Sequence, residues 1–111
     1  MRQLGGVTVL ITGGASGIGR LMGRKFLEDG AAHIVIWDVN QQAMNDTIAE
    51  WSAAGYGASG HLVNLADPEA IAKTAAEMKA KAITVDILVN NAGVIVGKTF
   101  VDHTDADIAL T

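Results

Sequence analysis

Near the start of the chain, the segment Thr12-Gly13-Gly14-Ala15-Ser16-Gly17-Ile18-Gly19 has the composition of a phosphate-binding loop. It follows the apolar run 7–11 and precedes a segment of helical periodicity, so we expect a strand, a glycine turn and a helix. Glycine lets a phosphate approach the main chain, and the first helical turn offers unpaired amides and a positive dipole end. The segment therefore predicts a site for a nucleotide pyrophosphate. The alternative is an ordinary loop rich in glycine.

A carboxylate, Asp38, ends the next apolar run, 33–38, and comes nineteen residues after Gly19. At such a place a carboxylate accepts hydrogen bonds from the adenosine ribose hydroxyls of a dinucleotide, and it repels the 2′-phosphate of NADP. Asp38 therefore favours NAD, with NADP as the less favoured cofactor. The alternative is that Asp38 only caps the turn that follows it.

Asparagine ends the third apolar run, 61–65, at Asn64-Leu65. The amide oxygen of Asn64 can accept a hydrogen bond from an amine, although without the charge that a carboxylate would bring. Asn64 is therefore a candidate polar contact for a ligand at this strand end. The alternative is a solvated strand end.

The fourth apolar run, 85–90, leads into Asn90-Asn91-Ala92-Gly93. The two side-chain amides can bond to loop backbone, while Ala92 and Gly93 leave room for a ribose and a nicotinamide to pass close by. We expect this tetrapeptide to lie beside the cofactor. A plain turn of the Asn-Gly type is the alternative.

Four apolar runs must position these residues: 7–12, 33–38, 61–65 and 85–90. They are mostly Val, Ile and Leu with little polar alternation, which is typical of strands buried on both faces. Three longer segments of helical period alternate with them, as in repeated βαβ units. We therefore expect an α/β fold with a Rossmann-type, doubly wound parallel sheet. Right-handed crossovers give the strand order 3-2-1-4.

Caps and apolar spacing locate the helices. Gly30 stands where a helix C-terminal glycine belongs, Asn40 is a candidate N-cap, and Asp67-Pro68 supplies a cap followed by a first-turn proline. The predicted buried stripes are Ile18, Leu21, Met22 and Phe26; then Met44, Ile48 and Trp51; then Ile71, Ala75, Met78 and Ala82. Thr104 and Asp107 form a pair like a capping box, which predicts the start of a fourth helix.

The sequence stops at Thr111, soon after that fourth helix would begin. The strand ending at Asn90 would then be a sheet edge rich in Ile, Leu and Val, an aggregation hazard that intact proteins cover. We therefore expect residues 1–111 to be one dinucleotide-binding half-domain. It would be truncated after the fourth strand, with the catalytic half absent.

Composition argues against several classes of protein. Half of the 111 residues are hydrophobic, 18% are charged and only one is proline, which favours a globular chain over a disordered one. The absence of cysteine excludes a disulfide framework, a thiolate metal site and a cysteine nucleophile. His33, His61 and His103 lie far apart without metal-ligand spacing, so no metal site is expected.

The charge and the N-terminus bear on partners and location. The net charge is −4 and the eight Lys and Arg residues are scattered, so we expect no nucleic-acid partner. Residues 1–6 lead into only five apolar residues, too few for a signal-peptide core or a membrane span. We therefore expect a soluble, cytoplasmic protein with no membrane partner.

Two common nucleotide-binding motifs do not fit the glycine loop. In G-x-G-x-x-G, Gly17-x-Gly19 would be followed three residues later by Gly or Ala, but that position is Met22. A P-loop would need Lys and Ser or Thr where Arg20 and Leu21 stand. The remaining pattern is T-G-x-x-x-G-x-G, formed by Thr12, Gly13, Gly17 and Gly19.

This pattern, with Asp38, Asn64-Leu65 and Asn90-Asn91-Ala92-Gly93 in order after it, resembles the classical short-chain dehydrogenase/reductase family over nearly the whole chain. The family usually has aspartate at the position of Asn64, so the adenine contact that the resemblance implies loses its charge here. NADP-using members would have a basic residue at Ser16 or Val39, and neither is basic. The residues that the resemblance implies for cofactor binding are Gly13, Ser16, Gly17, Ile18, Gly19, Asp38, Asn64, Leu65, Asn90, Asn91, Ala92 and Gly93.

The catalytic residues of that family are not found in this sequence. The resemblance implies a Tyr-x-x-x-Lys pair further along, but the single tyrosine, Tyr56, has Gly60 four residues later. Tyrosine can protonate a carbonyl oxygen efficiently when a lysine lowers its pKa. We therefore expect the parent protein to be an NAD-dependent enzyme and the 111-residue chain alone to be inactive. If 111 residues are the whole protein, the alternatives are a non-catalytic nucleotide-binding module or an interaction module.

The segment 94–100 is largely apolar and would border the substrate pocket of the complete fold. It indicates a hydrophobic alcohol or ketone as the small-molecule substrate, with ordinary packing as the alternative. The resemblance also implies a homo-oligomer for the complete protein.

Overall fold

Four strands and three helices alternate along the chain in the computed structural model, which describes residues 5–91. They are β1 (Thr8–Thr12), α1 (Gly17–Glu28), β2 (His33–Asp38), α2 (Gln41–Ala53), β3 (Ala58–Leu62), α3 (Pro68–Ala80) and β4 (Ile87–Asn90). The strands form one sheet in the order β3-β2-β1-β4, and each neighbouring pair is parallel. The predicted α/β fold and strand order are confirmed. The predicted fourth helix, with Thr104 and Asp107, lies outside the described residues.

The strand register brings four connecting segments to one edge of the sheet. Thr12 pairs with Trp37 of β2 and with Asn90 of β4, and Asp38 pairs with Leu62 of β3. All four strands therefore finish at nearly the same level, which we call the carboxyl edge. In open parallel sheets this edge is where ligands bind, at the point where the strand order reverses. Here the reversal lies between β1 and β4.

Alternate residues of the central strands point into two separate cores, as the period of a strand requires. Under α1 and α2 the sheet buries Val9, Ile11, Ile34 and Ile36 together with Leu27, Met44 and Trp51. On the opposite face, under α3, it buries Leu10, Val35, Trp37 and Leu88 together with Ile71, Ala75 and Met78. Each fully buried aliphatic side chain contributes about 1.5–3 kcal/mol. The continuous apolar strands are thus explained by helices on both faces.

The predicted helix boundaries at three places are confirmed. The side chain of Asn40 accepts a 2.9 Å hydrogen bond from an amide in the first turn of α2. Asp67 does the same at 3.0 Å for α3, which begins with Pro68. Gly30 follows the end of α1 with φ +105°, and its amide donates to the carbonyl of Leu27.

The predicted stripe of α1 is wrong in part. Ile18 and Leu21 are 71% and 73% exposed, while Gly19, Gly23 and Leu27 are the buried residues of the helix. A Cβ at Gly23 would run into the indole of Trp51, so the helix axis lies too near α2 for a larger residue. At two of the three core-facing positions, which are spaced four apart, the helix therefore carries glycine. Apolar periodicity overlooks such residues, although Met22 and Phe26 do pack partly against the core.

The stripes of α2 and α3 are largely confirmed. Met44 and Trp51 are fully buried and Ile48 packs against them. Ile71, Ala75 and Met78 are likewise buried, but Ala82 is not part of that face. It is an exposed residue beyond the helix end, with φ +58°. The helix stops before it, because a residue in the left-handed region breaks the repeat.

The third strand is Ala58–Leu62, not the predicted 61–65. It is an outer strand of the sheet and is only partly buried, so it lacks the apolar run of a central strand. A Cβ at its Gly60 would lie 3.0 Å from the sulfur of Met44, which explains why glycine occupies this position of the strand. The apolar signal came from Val63, a buried residue just past the strand end. β1 and β4 begin at Thr8 and Ile87, slightly later than predicted.

Candidate functional site

The glycine loop lies at the carboxyl edge between β1 and α1. Its first amide, that of Gly13, donates a 2.7 Å hydrogen bond to the carbonyl of Trp37 and so extends the pairing of β1 and β2 into the loop. Gly13 has φ +67°, which is the left-handed region that favours glycine. The loop therefore leaves the sheet in a turn that most residues could adopt only with strain.

Gly19, in the first turn of α1, joins the loop to the end of β4. A Cβ at Gly19 would collide with the carbonyl of Gly13 and with the side-chain amide of Asn91. That amide donates a 3.1 Å hydrogen bond to the same Gly13 carbonyl. The glycine loop, the start of α1 and the end of β4 thus meet without room for a methyl group at Gly19. The requirement for glycine at this position is steric and comes from within the protein.

Gly17 has the opposite surroundings. It begins α1 with φ +57°, and a Cβ there would meet nothing within 4 Å. Ser16, the N-cap residue, makes no side-chain cap hydrogen bond, and the first turn of α1 contains no acidic residue. The positive end of the helix dipole is therefore not offset by the N-cap side chain or by an acidic residue in the first turn. An open surface above such a helix start fits an anion such as a phosphate.

Asp38 caps the turn after β2 and also bonds to the glycine loop. Its Oδ1 accepts from the amides of Val39, at 2.8 Å, and Asn40, at 3.0 Å, so the carboxylate caps the turn after β2. Its Oδ2 accepts from the amide of Ala15 in the glycine loop at 3.2 Å. A carboxylate offers about four acceptor positions, two on each oxygen. One position on Oδ2 therefore remains beyond these three bonds.

A cleft of about 400 Å³ opens beside Asp38 at the carboxyl edge. Its lining residues are Gly13, Trp37, Asp38, Val39, Val63, Asn64, Leu65 and Ala66. The structure therefore brings Gly13, Asp38 and Asn64-Leu65 together, as the sequence predicted. Asp38 is the one charged residue in this lining, so the described part of the cleft carries no cation that could pair with an added phosphate.

Asn64 has a different local setting from the predicted one. It does not end a strand but lies two residues beyond β3, in the turn that leads to α3. Its Oδ1 accepts a 3.0 Å hydrogen bond from the amide of Ala66, which holds the side chain in that turn. The same oxygen keeps one acceptor position and the amide group keeps its donors. The polar character of this corner of the cleft is retained although the strand assignment was wrong.

Asn90 ties β4 to β1 at the carboxyl edge. Its Oδ1 accepts from the hydroxyl of Thr12 at 3.2 Å, while Asn91 bonds to the glycine loop. Asn91 thus bonds to loop backbone as expected, whereas Asn90 bonds to a side-chain hydroxyl of β1 instead. Ala92 and Gly93 lie outside the described residues.

Sequence reasoning missed Thr47, a fully buried residue on the apolar face of α2. Its hydroxyl lies 3.1 Å from the carbonyl oxygen of Ala15 in the glycine loop. The available signal was a hydroxyl on the same stripe as Met44 and Trp51, since a polar side chain at a core position must find a partner. Spacing alone could not show which segment supplies that partner.

The other candidate side chains lie away from this site or form no group. Tyr56 precedes the start of β3, at the sheet edge opposite the carboxyl edge, and Arg24 lies over its ring at 5.4 Å. Residues 5–91 contain no cluster of three His, Asp or Glu side chains able to hold a metal ion. In the same range, no helix has the length and hydropathy needed to cross a membrane.

Comparison with known proteins agrees with this geometry. A sequence model described as short chain dehydrogenase matches residues 7–111. Short-chain dehydrogenase/reductase 3 of Homo sapiens is 36% identical over 105 residues, which cover 95% of this chain and 35% of that protein. Epidermal retinol dehydrogenase 2 of Mus musculus is 35% identical, with 94% of this chain and 34% of that protein covered.

Solved structures share the fold described above. The crystal structure of 2-keto-3-deoxy-D-gluconate dehydrogenase from Streptococcus agalactiae aligns with a TM-score of 0.72 and 34% identity. The alignment covers 83% of this chain and 34% of that one. The chain thus spans about a third of the length of these relatives. By its sequence, its strand order and its glycine loop, the chain belongs to the short-chain dehydrogenase/reductase family.

Proposed function

We propose that this chain is the NAD-binding part of an oxidoreductase that transfers a hydride between the nicotinamide and an alcohol or ketone. Proteins of the family are oxidoreductases that use nicotinamide cofactors. The observation that carries the finer proposal is the position of Asp38, whose Oδ2 faces the glycine loop and lines the cleft of about 400 Å³. Residues 1–111 would then form the dinucleotide-binding half-domain.

The described residues fit a dinucleotide in three places. The pyrophosphate would lie over Gly17 and the uncapped start of α1, where a Cβ would meet nothing within 4 Å. The adenosine ribose would donate to the remaining acceptor position on Asp38, and the adenine would enter the cleft beside Asn64 and Leu65. The pyrophosphate would also contact Ser16, Ile18 and Gly19. The part of the cofactor that leads to the nicotinamide would lie beside residues 90–93. When bound, the nicotinamide supplies the hydride acceptor or donor.

Charge supports NAD over NADP. The 2′-phosphate of NADP would have to lie near the Asp38 carboxylate, and positions 16 and 39 carry Ser and Val instead of a cation. Two unit charges of one sign 4 Å apart repel by roughly 1 kcal/mol in water and roughly 4 kcal/mol near a protein surface. A preference for NAD between about fivefold and several hundredfold is therefore expected.

The test is a calorimetric titration of the full-length gene product with NAD and NADP. NAD should bind more tightly than NADP. Asp38→Ala should narrow the difference in affinity, because the variant would bind NAD more weakly and NADP more tightly. Asp46→Ala is the matched control, because it removes the same charge from the exposed side of α2. Equal affinities of the unaltered protein for the two nucleotides would refute the choice of cofactor.

A hydrophobic alcohol or ketone is the proposed substrate class. It is supported by the apolar sequence 94–100 and by the name of the mouse relative, a retinol dehydrogenase. The matching assay follows the reduction of NAD by the full-length gene product with long-chain and short-chain alcohols. Faster turnover of short polar alcohols would count against this class.

The second candidate is a non-catalytic nucleotide-binding module. Such a module would need only the glycine loop and the cleft beside Asp38, both of which the described residues supply. NAD binding without oxidation of any alcohol would support it. A cytoplasmic location and a homo-oligomeric state stay predictions, for which cell fractionation and light scattering are the measurements.

A further inference from the structure

Thr47 links helix α2 to the glycine loop. Its hydroxyl lies 2.8 Å from the carbonyl of Ala43, one turn earlier in the same helix, and 3.1 Å from the carbonyl of Ala15. Buried threonines in helices commonly bond back to the carbonyl four residues earlier, which needs no outside partner. The contact with Ala15, thirty-two residues away in sequence, is the unusual one. With one proton to donate, the hydroxyl is shared between two carbonyl oxygens.

The peptide groups on either side of Ala15 are fixed by two side chains from different elements. The amide of Ala15 donates to Asp38 Oδ2 at 3.2 Å, and its carbonyl accepts from Thr47 at 3.1 Å. Ala15 and Thr47 are almost completely buried, so water cannot readily replace the Thr47 hydroxyl. Ala15 is thereby held between the end of β2 and the middle of α2. It directly precedes Ser16 and Gly17, the residues at the open start of α1.

From this geometry we infer that Thr47 is a positioning residue for the nucleotide. The inference rests on the proposed function of the site. By holding the carbonyl of Ala15, Thr47 orients the amide of the same residue toward Asp38 Oδ2. It thus fixes both the carboxylate that would receive the ribose and the loop that would receive the pyrophosphate. Thr47 itself lines no part of the cleft, so it acts only through Ala15.

Loss of the Thr47 hydroxyl should weaken nucleotide binding more than it destabilises the fold. Thr47→Val keeps the shape of the side chain but leaves the Ala15 carbonyl without its buried donor. We expect NAD affinity to fall about tenfold, the factor that corresponds to one lost hydrogen bond. The NAD:NADP preference should narrow as well, because the amide of Ala15, one of the three donors that orient the Asp38 carboxylate, is held less firmly. Thr47→Ser keeps the hydroxyl and should restore both quantities.

Thr74 provides a matched control. It is a buried threonine on α3 whose hydroxyl donates at 2.8 Å to the Ala70 carbonyl of its own helix. Thr74→Val therefore makes the same chemical change without touching the glycine loop. Its nucleotide affinity should stay within about twofold of the unaltered protein. Comparing the two valine variants separates the loss of a buried hydroxyl from the loss of the contact with Ala15.

The experiment is a calorimetric titration of the full-length gene product and these variants with NAD and NADP, with melting temperatures measured in parallel. Weaker NAD binding and a smaller NAD:NADP ratio in Thr47→Val alone are the expected result. Unchanged affinity and ratio, even with a lowered melting temperature, would overturn the inference and leave Thr47 a structural residue. If the unaltered protein bound neither nucleotide, the proposed function would fail and this inference with it. Thr47→Cys, with a weak donor of similar size, replaces the valine variant if the latter does not fold.

Discussion

The side-chain amide of Asn91 donates a 3.1 Å hydrogen bond to the main-chain oxygen of Gly13. The two residues are 78 positions apart in sequence, and the bond joins the end of β4 to the loop after β1. Gly19 packs beneath both of them, with no room for a Cβ. The geometry of the glycine loop therefore depends on the far end of the described chain as well as on its own glycines.

Asn91→Asp should destabilise the protein and weaken NAD binding. The change replaces a donor with an acceptor that faces a carbonyl oxygen, so the free energy of unfolding should fall by about 1–3 kcal/mol. Denaturant unfolding of the full-length gene product measures the loss. Asn45→Asp is the control, because Asn45 is exposed on α2 and uses its side-chain oxygen as an acceptor, which aspartate preserves. Equal stability of the two variants would argue against a role for the Asn91 bond.

Gly17→Val should abolish nucleotide binding. A branched side chain would fill the open surface over the start of α1, where the phosphate is proposed to lie. It would also force a β-branched residue to adopt φ +57°, at a cost of about 1–2 kcal/mol. Fluorescence or calorimetric titration with NAD gives the affinity, and a melting curve gives the stability.

Gly55→Val separates these two effects. Gly55 also has a left-handed backbone, φ +90°, and open space around its missing Cβ, but it lies in the turn after α2, away from the carboxyl edge. Both variants should lose similar stability, and only Gly17→Val should lose the nucleotide. Undiminished NAD binding by Gly17→Val would mean that this loop is not the phosphate site.

The strand order and most helix boundaries could be predicted because they depend on local signals. Asn40, Asp67 and Gly30 act on amides and carbonyls within a turn of themselves, and continuous apolar runs specify strands that are covered on both faces. Asp38 was found for the same reason, since it ends such a run. Its second bond, to the amide of Ala15, could not be read because it joins segments 23 residues apart.

The errors occurred where packing distance overrides apolar pattern. Ile18 and Leu21 match a helical stripe, yet α1 turns Gly19 and Gly23 to the core because it lies close to the loop and to Trp51. β3 is a partly exposed outer strand that begins with three small residues, so its apolar neighbour Val63 shifted the prediction. Thr47 escaped notice for a related reason. Its hydroxyl contacts the carbonyl of Ala15, 32 residues earlier in the chain, and the spacing of residues in the sequence does not reveal such a contact.

Stability should fall as the pH is lowered through the histidine range. Burial lowers the pKa of His33 below its ordinary value of 6.5. Burial also lowers the pKa of His61, helped by Lys81 and opposed by Glu77. The unfolded chain therefore takes up protons first as the pH falls through about 6.5, and the folded state loses stability until its own pKa values are reached. Above about pH 7 the full contribution of the two neutral histidines to the free energy of unfolding is present. Denaturant unfolding at pH 7.5 and pH 5.5, both about one unit from that midpoint, measures the change.

His33→Gln and His61→Gln identify the source of this pH dependence. Glutamine does not titrate, and at position 33 it keeps an amide that can bond to Ser59, which the ring nitrogen Nε2 contacts at 2.8 Å. Each variant should lose less stability between the two pH values than the unaltered protein, and the double variant should lose least. Identical pH dependence in all four proteins would place the effect on other groups.

Gly23→Ala should destabilise the protein although alanine favours helices. In an open helix the change stabilises by about 1 kcal/mol. Here the new methyl group would meet the fully buried ring of Trp51, and overpacking costs about 1–3 kcal/mol. Trp51→Phe alone should also destabilise, because it leaves unfilled space, but in the double variant the alanine methyl can occupy part of that space. Denaturant unfolding of the four proteins should therefore give a coupling energy of at least about 0.5 kcal/mol in favour of the double variant. Strictly additive losses would mean that α1 and α2 can move apart, and that the close approach at Gly23 does not set their spacing.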